Sequence, residues 1–177
     1  SAIRSDDFVI YSGQKKVAGV GMLGTPIKTS MSVVPDEPYT IPFGVANLVQ
    51  EGTDLTMVGV SWTVHQCIEA AERLQSEHNV SVEIIDPRTV VPLDRDAIFD
   101  SVKKTGKLLV ADEDYQSFGF TGEVIASVVE RDPSVLSCAP VRVANPDLNI
   151  PYSRPMELRV LPTADRIVEE SKKMLGL

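Results

Sequence analysis

From residue 53 onward, short apolar runs alternate with segments of helical periodicity, and this alternation limits the folds open to the chain. The apolar runs have the length of β-strands and occupy residues 55–60, 80–85, 107–111 and 141–144. Apolar side chains at helical spacing follow each run, around residues 64–74, 94–102, 124–129 and 164–175. Such repeated strand–helix pairs are typical of right-handed crossovers in a parallel sheet. We therefore predict an α/β fold, with a doubly wound, mostly parallel sheet and helices on both faces.

Two residue patterns predict where helices begin and end. Thr63 is followed three residues later by Gln66, which is a capping-box pattern at the start of the first helix. Asp94 is predicted to open the second helix, and Gly106 to close it, because glycine readily accepts the left-handed conformation at a helix end.

The first 52 residues differ in composition from the rest of the chain. They contain six of the eleven glycines, and four prolines, without any helical period. We predict one strand at residues 8–11, an antiparallel edge strand near residues 45–49, and an extended connector between them. A strand at residues 8–11 has no partner nearby, so we expect the chain to begin partway through a larger protein.

Charge and apolar-run length exclude several classes of function. With 17 basic and 25 acidic residues, the chain has a formal charge of −8, which disfavours both nucleic acid and an anionic membrane surface. No apolar run is long enough to span a bilayer, so we expect an intracellular protein that is not secreted. Cys67 and Cys138 lie in unrelated contexts and are predicted to be buried thiols.

Two motifs of catalytic proteins occur in incomplete form. Gly19, Gly21 and Gly24 match the dinucleotide-binding pattern, but no strand and helix flank them as that site requires. Ser61 follows a predicted strand as a nucleophile would, yet no acid-then-histidine succession follows it in the order of a hydrolase triad. The histidines, His65 and His78, are expected at a helix flank or in solvent rather than on a metal.

Polar side chains gather where the predicted parallel strands end. They are Asp86 and Arg88 after the second strand, Asp112, Glu113 and Asp114 after the third, and Asn145 and Asp147 after the fourth. Ligands of open α/β sheets bind outside the carboxyl ends of the strands, so these residues form the best candidate small-molecule site, and the three adjacent acids are candidate ligands of a divalent cation. The alternative is that they only solvate loops and cap helices.

Several segments taken together resemble the beta subunit of thiamine-diphosphate-dependent 2-oxoacid dehydrogenase E1 components, of the pyruvate and acetoin type. The resembling segments are residues 39–44, 64–65, 70–74, 82–89, 92–94, 106–113, 150–153 and 161–162. They include the sequences Tyr-Thr-Ile-Pro-Phe-Gly at residues 39–44 and Asp-Pro-Arg-Thr at residues 86–89. Residues 61–62 and the loop at residues 114–119 depart from what that family usually has.

The resemblance implies a division of the chain and a function. Residues 1–52 would be the remnant of a pyrimidine-binding domain with its connector, and residues 53–177 a transketolase-type C-terminal domain. The parent enzyme would use thiamine diphosphate and Mg²⁺, which are not expected on this part of the chain, and no catalytic, cofactor-binding or metal residue is assigned here. The expected compartment is the bacterial cytoplasm, or the mitochondrial matrix in a eukaryote.

The partners implied by the resemblance are an E1 alpha subunit, a second beta subunit and the E2 acyltransferase core. The candidate contact residues for other domains or subunits are Asp86, Arg88, Asp112, Glu113 and Asp114. The competing hypothesis is an autonomous α/β module that binds a small molecule in the crevice at the carboxyl ends of the strands. A pure scaffold that belongs to no catalytic assembly is a third alternative.

Overall fold

The computed structural model describes residues 1–14, 17, 27–31 and 33–177, which include a five-stranded sheet with helices on both faces. Its strands are β1 (Asn47–Gln50), β2 (Leu55–Gly59), β3 (Val82–Asp86), β4 (Leu108–Tyr115) and β5 (Val141–Asn145). Its helices are α1 (Trp62–His78), α2 (Arg95–Thr105), α3 (Phe120–Arg131), α4 (Arg154–Val160) and α5 (Ala164–Leu175). Short 3-10 helices occur at Ala2–Arg4, Lys28–Ser30 and Pro133–Val135.

The strand order is β1-β3-β2-β4-β5, and the sheet is mixed. Strands β2 to β5 run parallel to one another, while β1 pairs antiparallel with β3 at one edge. The predicted fold class, with its antiparallel edge strand, is therefore confirmed.

Alternating side chains of the central strands divide the core into two layers. Met57, Ile84 and Leu109 pack on one face against α1 and α5. On the other face, Val58 and Val110 pack against α2 and α3. Strand β2 and the first four residues of β4, 108–111, are buried on both faces. They therefore form nearly continuous apolar runs rather than alternating patterns, which is usual for parallel strands covered on both sides.

The two predictions about helix ends had different outcomes. The Asp94 side chain accepts a hydrogen bond from the Ala97 amide at 3.1 Å, and Gly106 ends α2 at φ 72°, as predicted. The capping box at Thr63 and Gln66 was wrong. Helix α1 begins at Trp62 with Ser61 as its N-cap, and both side chains of the supposed box bond to residues outside α1.

Three further expectations need correction. Residues 8–11 form no strand, and the ring of Phe8 is 91% exposed. Strand β4 continues to Tyr115, so that the three adjacent acids lie inside the strand rather than after it. Cys67 is buried, which raises the pKa of its thiol to about 12, but Cys138 is only half-buried.

Helix α4, which the sequence analysis did not predict, has no buried residue. It is attached by Arg166 of α5, whose guanidinium donates to the carbonyl oxygens of Val160, Leu161 and Ala144. The glycine motif of residues 19–24 lies outside the described residues. Among the helices that are described, none is long and apolar enough to cross a bilayer.

Candidate functional site

The strand order places the topological switch point of the sheet between β2 and β4. From β2 the chain crosses to β3 on one side, and from β3 it returns to β4 on the other. Ligand sites of open α/β sheets lie at such a point, outside the carboxyl ends of the strands. We use the term carboxyl edge for the ends of β2 to β5 and the loops that follow them, and every candidate site residue lies there.

Asp86 and Arg88 occupy the end of β3 and the turn after it. Asp86 is the last residue of the strand, and its carboxylate accepts the Arg88 amide at 2.9 Å. Arg88 has φ 58°, in the left-handed region, so this hydrogen bond stabilises a tight Asx-type turn. The contact explains the local backbone, and it leaves Arg88 exposed while Asp86 is half-buried.

The three acids of β4 each have a different environment. Burial raises the pKa of Asp112 to about 6, and the neighbouring charges of Asp114 and Glu113 add to it, while hydrogen bonds from the backbone amides of these two residues oppose it. The Glu113 carboxylate accepts the Gln14 amide group at 2.6 Å. The Asp114 carboxylate accepts the Tyr115 backbone amide at 2.7 Å.

These contacts bear on the idea of a cation site. A divalent cation needs several oxygen ligands converging on one point, whereas the three carboxylates are turned to three different partners. Within the described ranges, no group of three or more His, Cys, Asp and Glu side chains is arranged to hold a metal ion. The acids of β4 therefore do not fit the role of a cation cradle.

The carboxyl end of β5 and the turn after it are hydrogen-bonded to the end of β4 and to the loop between β4 and α3. Asp147 accepts both the backbone amide of Ser117, at 3.1 Å, and the Ser117 hydroxyl, at 2.5 Å, and these two bonds lower the pKa of Asp147. The side-chain amide of Asn145 donates to the Glu113 carbonyl oxygen, and the Asn145 carbonyl oxygen accepts the Gln116 amide at 2.8 Å. Asn145 at the end of β5 and Asp147 just after it thus both support the loop.

The histidines and Ser61 do not assemble a nucleophilic site. His65 lies in α1, where burial lowers its pKa although the charge of Asp86 opposes this, and its Nδ1 lies 2.8 Å from the Thr29 hydroxyl. His78 is at the far end of the same helix. Ser61 is the N-cap of α1 with φ 56°, and its side chain makes no capping bond. A hydrolase triad needs a histidine beside the serine and an acid beside the histidine.

The feature that sequence reasoning missed is a row of exposed apolar side chains along the carboxyl edge. The loops after β3, β4 and β5 and the last residue of β4 all contribute to it. The exposed residues are Val90, Val91, Tyr115, Phe118, Leu148, Ile150 and Tyr152. The ring of Phe118 is 108% exposed. Large aromatic residues within otherwise polar loops were the signal in the sequence that could have indicated it.

Two grooves occur away from the carboxyl edge. One, of about 360 Å³, lies between α2 and the outer strands, next to Leu48, Glu83 and Lys104. The other, of about 340 Å³, lies beside α5 next to Arg73, Asp165 and Leu177. Both are wide open, so neither offers the enclosed apolar environment that small-molecule sites usually have.

Comparison with known proteins identifies the domain. The family model described as the C-terminal domain of transketolase matches residues 44–167. The chain is 37% identical over 152 residues to the beta subunit of acetoin:2,6-dichlorophenolindophenol oxidoreductase of Bacillus subtilis, covering 84% of the chain and 44% of the relative. It is 35% identical over 175 residues to the beta subunit of the pyruvate dehydrogenase E1 component of the same organism, covering 99% of the chain and 50% of the relative.

A solved structure described as a split-gene transketolase, an inactive beta4 tetramer, has the same fold. The two superimpose with a TM-score of 0.66 at 25% sequence identity, covering 78% of this chain and 45% of that one. The chain spans about half the length of the curated relatives it matches. The family match extends over more than half of the residues, from β1 into α5. The chain thus belongs to the family of transketolase C-terminal domains.

Proposed function

We propose that this chain supplies the C-terminal, assembly-forming part of the beta subunit of a thiamine-diphosphate-dependent dehydrogenase that acts on a 2-oxoacid or acetoin. The observation that carries the proposal is the 35% identity to a pyruvate dehydrogenase E1 beta subunit over 99% of the chain. In the parent enzyme, a 2-oxoacid is decarboxylated and its acyl group is passed to lipoamide. The 177-residue chain is inactive alone.

The role of the domain is to hold other subunits at the carboxyl edge. Exposed apolar side chains from three different loops lie there, and large exposed apolar patches of this kind usually contact a partner. Asp86, Arg88, Asp112, Glu113 and Asp114 lie among them as the polar contacts of the same surface. The partners are an alpha subunit, a second beta subunit and the acyltransferase core.

The proposed division of the chain follows the same logic. Residues 53–177 form the C-terminal domain, and residues 1–52 belong to a connector and the end of a preceding pyrimidine-binding domain. Strand β1 supports a close association of the two parts, because it precedes residue 53 and still pairs with β3.

Thiamine diphosphate and Mg²⁺ act elsewhere in the assembled enzyme. The diphosphate of this cofactor is held through a metal ion by converging oxygen ligands, and the acids of β4 do not converge. No step of the reaction is therefore assigned to residues of this chain.

Two measurements test the proposal. Co-expression with the alpha subunit should yield a stable complex on size-exclusion chromatography, and failure to form one would contradict the assembly role. Calorimetric titration of the 177-residue chain with thiamine diphosphate and Mg²⁺ should give no binding heat, while micromolar affinity would show that the cofactor site lies here. The autonomous binding module would instead raise its melting temperature with a small ligand.

A further inference from the structure

The loop between β4 and α3 holds Phe118 in a conformation that a phenylalanine rarely adopts. Its φ is 61°, in the left-handed region, where a bulky side chain is strained by its own backbone. Its ring is fully exposed, so burial in this domain provides no compensation. Strained backbone that persists without a local benefit concentrates at functional positions.

Four hydrogen bonds from the neighbouring strand and loop hold this conformation. Ser117, which precedes Phe118, donates hydrogen bonds from its backbone amide and its hydroxyl to the Asp147 carboxylate. Gln116 donates its amide to Asn145 and accepts the Arg142 guanidinium at 2.8 Å. The loop is thus fixed to β5 and to the turn after it.

The backbone path at Gly119, the residue after Phe118, leaves no space for a side chain. A Cβ at this position would lie 2.0 Å from the carbonyl oxygen of Tyr115, so the backbone could not pass there with any other residue. The Phe118 ring therefore projects from a loop that is already fixed, and the loop loses little conformational entropy when the ring contacts a partner.

The charges around the ring restrict what this partner can be. Asp112, Glu113, Asp114 and Asp147 lie close to the loop along the chain, and within the described ranges none of them forms an ion pair. The Arg142 guanidinium, which donates to Gln116 and whose charge acts on Asp147, offsets only part of this negative charge. A second copy of this chain would bring the same acids against themselves in a two-fold contact. A complementary surface has an apolar pocket for the ring and lysine or arginine around it.

We propose that Phe118 is the anchor of a heterologous subunit contact, in which its ring enters an apolar pocket with a basic rim on the alpha subunit. A convex, exposed ring on a rigid loop does not enclose a small molecule, but it has the position and chemistry of an interface hot spot. This inference rests on the proposed function, because it takes the partner from the assembly proposed there.

The test compares three variants of the full-length beta chain in titrations with the purified alpha subunit. Phe118→Ala should weaken binding about 30-fold, as expected for a hot-spot aromatic residue. Phe118→Gly should weaken binding as much while leaving the melting temperature equal or higher, because glycine accepts φ 61° without strain. Leu177→Ala removes an exposed apolar side chain after α5, away from the carboxyl edge, and should change affinity less than twofold.

Each outcome separates the inference from the proposed function. If the wild-type chain does not bind the alpha subunit, the proposed function fails and the inference with it. If the wild-type chain binds and both Phe118 variants bind equally well, the inference alone is overturned. It is also overturned if these variants change only self-association in analytical ultracentrifugation, or only binding to the acyltransferase core. Wild-type affinity that falls steeply with added salt would support the basic rim.

Discussion

The hydroxyl of Thr63, in the first turn of α1, lies 2.7 Å from the carbonyl oxygen of Ala111 in β4 and can donate to it. The hydroxyl oxygen of Thr63 also accepts the backbone amide of Val60, the residue after β2, at 2.8 Å. One fully buried side chain thus joins β2, α1 and β4 where the strand order reverses. This contact fixes the geometry of the carboxyl edge at the switch point.

Replacing Thr63 by valine should therefore destabilise the domain by about 1–3 kcal/mol, because a valine of similar shape leaves buried backbone groups without their partner. Urea unfolding at pH 7 measures the effect. Thr63→Ser keeps the hydroxyl and should retain most of the stability. A larger loss for Thr63→Ser than for Thr63→Val would show that the methyl group, and not the hydrogen bonds, makes the larger contribution.

The same residue shows how far sequence patterns can be taken. Thr63 and Gln66 have the spacing of a capping box, and this pattern concerns only contacts within one helix. In the folded chain, Thr63 bonds to β4, and the Gln66 side chain accepts the Ala164 amide at the start of α5. Periodicity predicted the four parallel strands, four of the five helices and the two layers of helices, because burial on two faces leaves a direct mark on the sequence. It failed for residues 8–11, which form no strand, and for the exposed helix α4.

The carboxyl edge was only partly predictable, for a different reason. Its polar residues were found from their position after apolar runs, which is a local signal. The extension of β4 through three acids depends on pairing with β5, as in the register of Tyr115 with Asn145, and this pairing is a tertiary contact. The left-handed conformation of Phe118 likewise comes from hydrogen bonds to β5 and to Asp147, and no local propensity indicates it.

A second prediction concerns the ion pair between Glu83 and Lys104. The Glu83 side chain is 4% exposed, whereas that of Lys104 is nearly half exposed. Lys104→Met leaves a buried carboxylate without its cation and should cost about 2–4 kcal/mol, while Glu83→Gln leaves only a solvated ammonium group and should cost less. Urea denaturation of the two variants at pH 7 gives the comparison, and a larger loss for Glu83→Gln would contradict it.

The pH dependence of this pair has a defined sign. Burial alone would raise the pKa of Glu83, but hydrogen bonds from Lys104, Ser101 and the Gly52 amide outweigh it and lower the pKa below 4.5. The stabilisation is therefore present above the unfolded pKa and is lost as the pH falls through the folded value. The stability difference between wild type and Glu83→Gln should shrink as the pH falls below 4.5, the ordinary pKa of the carboxyl group.

A third prediction contrasts two acids of the carboxyl edge. Burial raises the pKa of Asp112 from 3.8 to about 6, so its ionisation destabilises the folded state increasingly between these pH values and fully above the higher one. Asp112→Asn should raise the melting temperature at pH 7 to 8, with a gain that disappears below pH 3.8. Asp147, whose pKa is lowered by Ser117, should behave in the opposite way, and Asp147→Asn should lower the melting temperature. Differential scanning calorimetry from pH 3 to 8 measures both melting temperatures. If both substitutions shift the melting temperature in the same direction at pH 7, the opposite pKa shifts given for the two acids are contradicted.

A fourth prediction concerns the turn between β2 and α1. A Cβ at Gly59 would lie 2.8 Å from the Val64 amide nitrogen and 2.9 Å from its Cα, so the strand and helix come too close for any side chain. Gly59→Ala should cost about 1–3 kcal/mol through displaced backbone. Gly13→Ala is the matched control, because its nearest contact would be 4.0 Å away. Thermal unfolding of both variants distinguishes a packing constraint from a general effect of alanine.

The last prediction uses a carboxylate that joins two elements. One oxygen of Asp94 caps α2 by accepting the Ala97 amide at 3.1 Å, and the other accepts the Ala46 amide at 2.8 Å, just before β1. Asp94→Ala should therefore cost more than an ordinary helix cap, about 2–3 kcal/mol where a cap alone is worth about 1. Asp94→Asn retains one acceptor oxygen and should give an intermediate value.

Hydrogen exchange can separate the two roles of Asp94. If its carboxylate fixes the edge strand as well as the helix, Asp94→Ala should speed amide exchange in Asn47–Gln50 in addition to the first turn of α2. Asp100→Ala, an exposed acid on the same helix, serves as the control and should leave both segments protected. Faster exchange confined to α2 would show that Asp94 acts as a helix cap alone, and that β1 depends only on its pairing with β3.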